Sequence, residues 1–237
     1  MWDRATAVQP LPEPWVVLTT GLVALLLVLA RPTWPRVRLG VTVVHEAGHA
    51  VVAVLVGRRL QGIRLHADTS GVTVSRGRPT GPGMVATLVA GYLAPAAVGV
   101  GAALLLSTGR GVLLLWLVLL LVTGLLLWVR NGYGLLVLVV LATGLVLLTS
   151  YAAPEVQSVA AYLVAWLLLL AAPRPVVDLI AQLIRQGRRR SRTSDPDQLA
   201  RLTHVPAVVW CGLMLVANVA GLVVGATTLA PVLLARA

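Results

Sequence analysis

About seven stretches of this chain are apolar over roughly the length that crosses a lipid bilayer, and nothing else in the sequence constrains the fold as much. Inside hydrocarbon a backbone N–H or C=O has no water to bond, so each stretch is expected to satisfy its own backbone as a helix. Hydrophobic residues make up 58% of the chain and charged residues 11%, which excludes a soluble domain and, with it, a soluble nucleic-acid binder despite the formal charge of +11. The expectation is an all-α polytopic membrane protein, folded as one integral membrane domain over residues 1–237. Its spans fall at about 15–30, 39–57, 84–107, 112–129, 134–150, 157–184 (broken by proline) and 205–230. The first run is kept as a span and not read as a signal peptide. Asp3 and Glu13 oppose the single Arg4 before it, and no small-x-small cleavage site precedes Arg31.

Every one of the 19 basic residues is Arg, and they fall between the apolar runs, where they report topology. With alternating spans, the N-terminus, residues 58–83, the Arg130 turn and residues 173–204 share one side and hold the larger share of the arginines. That side is expected to be cytoplasmic, with the C-terminus outside. Cys211 is the only cysteine, so no disulfide forms within the chain.

One apolar run, about 39–57, carries His45-Glu46-Ala47-Gly48-His49. Residues four apart share a helix face, so His45 and His49 can offer ring nitrogens to one metal ion. Glu46, one residue on, points beside that ion, where a carboxylate can take a proton from water. Each ionisable group in a bilayer costs roughly 2–3 kcal/mol, so three within five residues call for a compensating cation. The alternative is a set of hydrogen-bonded structural polar groups.

Residues 58–83 form the longest polar stretch of the first half. Ile63 and Leu65 alternate with polar neighbours, Asp68-Thr69-Ser70-Gly71 supplies a turn, and Val72 and Val74 alternate again, predicting a β-hairpin. It is either a plain surface hairpin or an edge strand that pairs with an unfolded substrate beside the site. His66 within it reads as a surface residue. In the next span, Ala90-Gly91-Tyr92-Leu93-Ala94-Pro95, with Gly99 and Gly101, suits close packing on the motif helix and a proline kink. Arg130-Asn131-Gly132-Tyr133 reads as an interfacial anchor. Ser194-Asp195-Pro196-Asp197 reads as a helix start capped by Asp195, and Asn218 with Gly221 and Gly225 as packing devices. No internal repeat is found.

A catalytic zinc site commonly has three protein ligands. The remaining candidates are Asp178, Asp195, Asp197, His204, His66 and Asp68. His49 lies eight residues before Gly57, roughly 12 Å, and Asp178 seven residues before Arg185, about 10 Å, which puts both at one depth if the broken span reaches Arg185. Asp195 and Asp197 sit in the basic segment 185–204 and would need it to fold back into the bilayer. Asp178 is therefore the expected third ligand, with an Asp178–Arg174 pair as the structural alternative.

On these residues the sequence resembles the site-2 protease family of intramembrane zinc metalloproteases, in its compact bacterial branch. His45-Glu46-Ala47-Gly48-His49 matches the family's His-Glu-x-x-His, including Gly before the second His. Pro173-Arg174-Pro175-Val176-Val177-Asp178 keeps the Pro-to-Asp spacing of its third-ligand motif, although Leu179 stands where Gly is usual. Ala90 to Pro95 is similar to its small-residue motif without the usual Asn, and the hairpin corresponds to its β-rich insertion. The resemblance implies a Zn2+ site of His45, His49 and Asp178, with Glu46 as the catalytic base. It also implies a bacterial multi-pass cell-membrane location, and cleavage of a membrane protein substrate in or near its transmembrane segment, such as a membrane-tethered regulator or anti-sigma factor. Two other functions share the architecture: a catalytically silent protease-like scaffold, and a metal or small-solute transporter, for which inverted repeats would be expected.

Overall fold

The computed structural model describes residues 7–186 and 193–234. In chain order the elements are α1 (Pro14–Leu29), α2 (Trp34–Leu55), β1 (Arg59–Leu65), β2 (Gly71–Arg76), α3 (Pro82–Ser107), α4 (Gly111–Leu126), α5 (Gly132–Tyr151), α6 (Pro154–Ala171), α7 (Arg174–Gln186), α8 (Asp195–Thr203) and α9 (Ala207–Leu234). Prolines in the first turns of α1, α2, α3 and α6 set the start of each helix, where a missing N–H costs nothing. Five of the resulting spans are long and apolar enough to cross a membrane, with α6 and α7 counted as one, and α1 and α4 are shorter apolar helices. The expected helical membrane protein with one small antiparallel hairpin is thus present.

Helix directions differ from the expected seven alternating spans, and α3 serves as the reference. Gly83 lies against Val56, and Gly48 against Ala90 and Ala94, so α2 runs antiparallel to α3. The segment before α1 starts at the Ser107 end, where the Gln9 N–H donates to the Gly109 carbonyl at 2.7 Å. Val17 then packs with Ala102 and Leu106. Val28 packs with Ala171 and Trp34 farther along. Consequently α1 and α2 run the same way, stepped at residues 30–33, and do not form a helical hairpin. The step stays in line because the Thr33 hydroxyl donates to the Leu27 carbonyl at 2.7 Å and the Trp34 N–H to Ala30 at 3.1 Å, helix-like turn bonds that carry the path onward. A second stepped path is formed by α6 and α7, broken at Ala172–Pro173. Along α9, Cys211 and Met214 meet Leu88, Gly221 meets Ala96, and Leu229 meets Ala102 and Leu106. The chain's start and the end of α9 therefore lie at one end of the bundle, where alternating spans would have put them at opposite ends.

Close helix approach replaces the hydrophobic effect as the source of packing in a bilayer, and the glycines are placed accordingly. A Cβ on Gly48 would lie 2.5 Å from the Ala94 Cβ and 2.8 Å from the Ala90 carbonyl oxygen, so α2 and α3 touch backbone to backbone there. Gly225 likewise admits Leu169, as the spacing of Gly221 and Gly225 suggests.

The hairpin packs one face against α2 and leaves the other exposed. It folds back along α2, with the Thr42 hydroxyl donating to the Thr69 carbonyl at 2.8 Å, so its turn is anchored thirteen residues before the helix ends at Leu55. Ile63 and Leu65 are buried with Val43, Ala47, Val122 and Leu138. The outer edge of β1 is taken by the segment after α4: the Ile63 N–H donates to Trp128 O at 2.8 Å, and the Arg130 N–H to Ile63 O at 2.9 Å. Asn131 continues the pattern with its side chain, accepting from the Leu65 N–H at 3.2 Å and donating to the Leu65 carbonyl at 2.6 Å. The Arg130–Tyr133 turn, read from sequence as an interfacial anchor, is the clamp that holds β1.

Replacing Gly48 with Leu is expected to lower the thermal unfolding midpoint in detergent sharply, because backbone and a methyl must both move. Gly101→Ala, at an α3 position with nothing within 4 Å, is expected to leave the midpoint unchanged or raise it slightly.

Candidate metal centre and active site

Packing α2 against bare α3 backbone brings His45 and His49 to a shared point. Their Nε2 atoms are 3.0 Å apart. His49 is buried, and its Nδ1 lies 2.7 Å from the Thr87 carbonyl oxygen. A carbonyl only accepts, so that Nδ1 carries the proton and Nε2 keeps a lone pair aimed at His45, the state a metal ligand needs. The His45 ring stands edge-on to Tyr92, with centroids 4.9 Å apart. Gly91 is what makes room: a Cβ there would overlap the His49 Nε2 and lie 2.8 Å from His45 Cε1.

A carboxylate completes the set, and it belongs to Asp195. Its Oδ2 lies 3.3 Å from His45 Nε2 and 3.2 Å from His49 Nε2. Asp178, the ligand expected from sequence, lines the same cavity from α7 but stands outside this cluster. Depth and the spacing from Pro173 both favour it in the sequence. The chain instead folds α8 back: Leu199, one turn after Asp195, is fully buried among Leu88, Val176, Leu179, Cys211 and Met214, which pins α8 against α3, α7 and α9. Capping also shifts by one residue. Ser194 is the N-cap, and Asp197 accepts its backbone N–H at 3.2 Å and its hydroxyl at 2.5 Å, leaving Asp195 free to turn inward.

The other candidates are accounted for. His66 is exposed in the hairpin turn beside Ser70, and Asp68 caps that turn through Ser70. His204 ends α8 in a left-handed conformation, φ 60°. Arg174 does not seek Asp178; its guanidinium lies over the Trp34 ring, 4.1 Å from the centroid. Residues 187–192 of the basic segment lie outside the described residues.

The donor set fits zinc. With bonds of about 2.0–2.1 Å, a tetrahedral ion needs donors about 3.3 Å apart, and the three edges here are 3.0, 3.3 and 3.2 Å. Two imidazoles with a carboxylate form a borderline-hard set of the kind zinc accepts, and three protein donors leave one position open.

Glu46 is buried next to the cluster and is held by the hairpin. The Thr73 hydroxyl donates to its Oε2 at 2.5 Å, and Gly71 passes so close that a Cβ would lie 2.5 Å from Oε1. Cluster and Glu46 open on one cavity of about 800 Å³, walled by α2, β2, α3, α7 and α8.

Asp195→Ala is expected to abolish stoichiometric zinc binding in purified protein, measured by metal analysis after dialysis, while Asp178→Ala retains it. Gly91→Ala is expected to lose zinc as Asp195→Ala does, because the added methyl displaces the imidazoles.

A family model described as Peptidase M50B-like matches residues 18–225, a range that takes in both α2 and α8. No curated protein and no solved structure matches the chain.

Proposed function

The chain belongs to the Peptidase M50B-like family, and from that premise we propose that it is an intramembrane zinc metalloprotease that hydrolyses a peptide bond in or near a transmembrane segment of a membrane protein. Family membership implies a protease, and the apolar helices a multi-pass membrane protein. The observation that carries the finer reading is the convergence of His45, His49 and Asp195 beside a buried Glu46 at one cavity within the bundle.

His45 and His49 through Nε2, and Asp195 through Oδ2, would hold the ion. Bound there, zinc supplies a Lewis acid that polarises the scissile carbonyl and acidifies water. Glu46 takes the proton from the attacking water and returns it to the leaving amine. Beside the cluster, β2 supplies a guide for the peptide. Ile63 spends its N–H and C=O on residues 128–130, so its partner Thr73 sits at a non-hydrogen-bonded pair and turns its own N–H and C=O to the free edge of β2. Gly71 does the same, opposite Leu65. A substrate segment that has left its helix can add there as an extended strand. Substrates with small or helix-breaking residues near the cut meet this need at least cost. A membrane-tethered regulator such as an anti-sigma factor is the proposed class of partner. The Asp195 carboxylate supports this active reading over a catalytically silent scaffold.

The stepped path of α1 and α2 supports six crossings of the bilayer. The hairpin, the Arg130 turn and α8 then share the arginine-rich, cytoplasmic side, and the segment before α1 and the end of α9 lie outside. Ala7→Cys in a Cys211→Ser background is expected to react with a membrane-impermeant maleimide on intact cells. Protection that is lost only on lysis would restore seven alternating spans.

Glu46→Gln is expected to keep one zinc per chain and lose roughly 100- to 10,000-fold in cleavage of a transmembrane substrate in detergent. Chelation should stop the wild type, and added zinc should restore it. Wild type that holds no zinc, or holds it without cleaving any substrate offered, would sink the protease reading.

A further inference from the structure

We infer that Thr73 is a positioning residue that ties the catalytic base to the substrate-binding strand, an inference that rests on the protease reading above. Its hydroxyl lies 2.5 Å from Glu46 Oε2 and 3.2 Å from the Glu46 carbonyl oxygen, so the proton it donates goes to the carboxylate, the stronger acceptor. The contact crosses from the hairpin to α2, and it occurs where Glu46 has no room to turn. Gly71, two residues earlier on the same face of β2, closes over the carboxylate, and any side chain there would strike Oε1, Cγ and Cδ. One oxygen is therefore held by a hydroxyl and the other packed beneath bare backbone, which fixes the rotamer of a side chain that would otherwise swing toward the cavity.

The same residue faces the substrate through its main chain. Thr73 pairs with Ile63 across β1–β2, and because Ile63 bonds outward to Trp128 and Arg130, the Thr73 N–H and C=O point to the open edge of β2. Side chain and main chain of one residue thus hold the base and set the register of the incoming strand. A shift of β2 moves both together, so a peptide bond paired beside Thr73 keeps its distance to Glu46. The hairpin is itself fixed from behind, since Asn131 bonds both main-chain groups of Leu65. In catalysis the base must be aimed, and misplacement by about 1 Å costs on the order of 100-fold.

The test is Thr73→Val beside Thr73→Ser, in full-length zinc-loaded protein, with cleavage of a transmembrane substrate resolved into kcat and KM. Val keeps the shape and the β-strand preference but cannot donate; Ser keeps the donor. The expected result is a kcat lowered about 10- to 100-fold for Thr73→Val, with KM and zinc content within about twofold of wild type, and recovery to within about threefold for Thr73→Ser. Equal losses in both variants, a change confined to KM, or no change would overturn the inference while leaving the protease reading intact. A thermal double-mutant cycle of Thr73→Val with Glu46→Leu needs no activity. Non-additive midpoint shifts support the contact, and additive shifts overturn it. Wild type that cleaves nothing overturns the protease reading itself, and the cycle still decides whether Thr73 holds Glu46.

Discussion

Everything at the site depends on how closely α2 can approach α3. Two imidazoles one helical turn apart share a face, but they converge on a point only if the opposite wall is bare. Gly48 lets the α2 backbone reach Ala90 and Ala94, and Gly91 leaves α3 without a side chain where the rings stand. From that approach follow the 3.0 Å separation of the two Nε2 atoms and the bond from His49 to the Thr87 carbonyl, which sets the tautomer. In a bilayer, where lipid competes with side chains for apolar contact, such backbone-level packing is a source of stability as well as of geometry.

A β-hairpin beside membrane helices is costly unless its backbone is satisfied, and here the satisfaction is uneven in a useful way. The β1 edge is closed by Trp128, Arg130 and the Asn131 side chain. Among the described residues, the β2 edge on the side of the cavity has no backbone partner. Polar backbone is tolerated where it lines a cavity, so the unsatisfied edge and the candidate active site come together for one physical reason. Glu46 gains from the arrangement: a buried carboxylate needs a donor, and Thr73 provides it without occupying the metal cluster.

Asp195 illustrates how a ligand can come from outside the spanning helices. A nine-residue helix cannot hold itself in place, so its position is set by Leu199 in the cluster with Leu88, Val176, Cys211 and Met214, and by the Ser194–Asp197 cap. The candidate metal centre is therefore assembled from an approach between two long helices and the docking of a third, short one. Asp178 reaches the cavity wall, but α8 lies nearer the imidazoles.

How much was legible in the sequence follows from the range of each interaction. Helical spans, the hairpin, the proline break before Arg174 and the pairing of His45 with His49 beside Glu46 are set by residues within about a turn or two of one another, and hydropathy, alternation and i, i+4 spacing report them directly. Three features were not legible. The order of helix directions turns on whether residues 30–33 reverse the chain, and apolar runs look alike whichever way they point. The clamp at Asn131 lies 66 residues from Leu65. The third donor lies 146 residues from His49 and was hidden by a capping signal that Ser194 and Asp197 fulfil instead. The sequence by itself therefore determined a helical membrane protein with two histidines and a carboxylate within one helical turn, because local patterns suffice for that. Only the tertiary structure decided which carboxylate joins the histidines and which strand holds Glu46, because both depend on packing between elements that the chain keeps far apart.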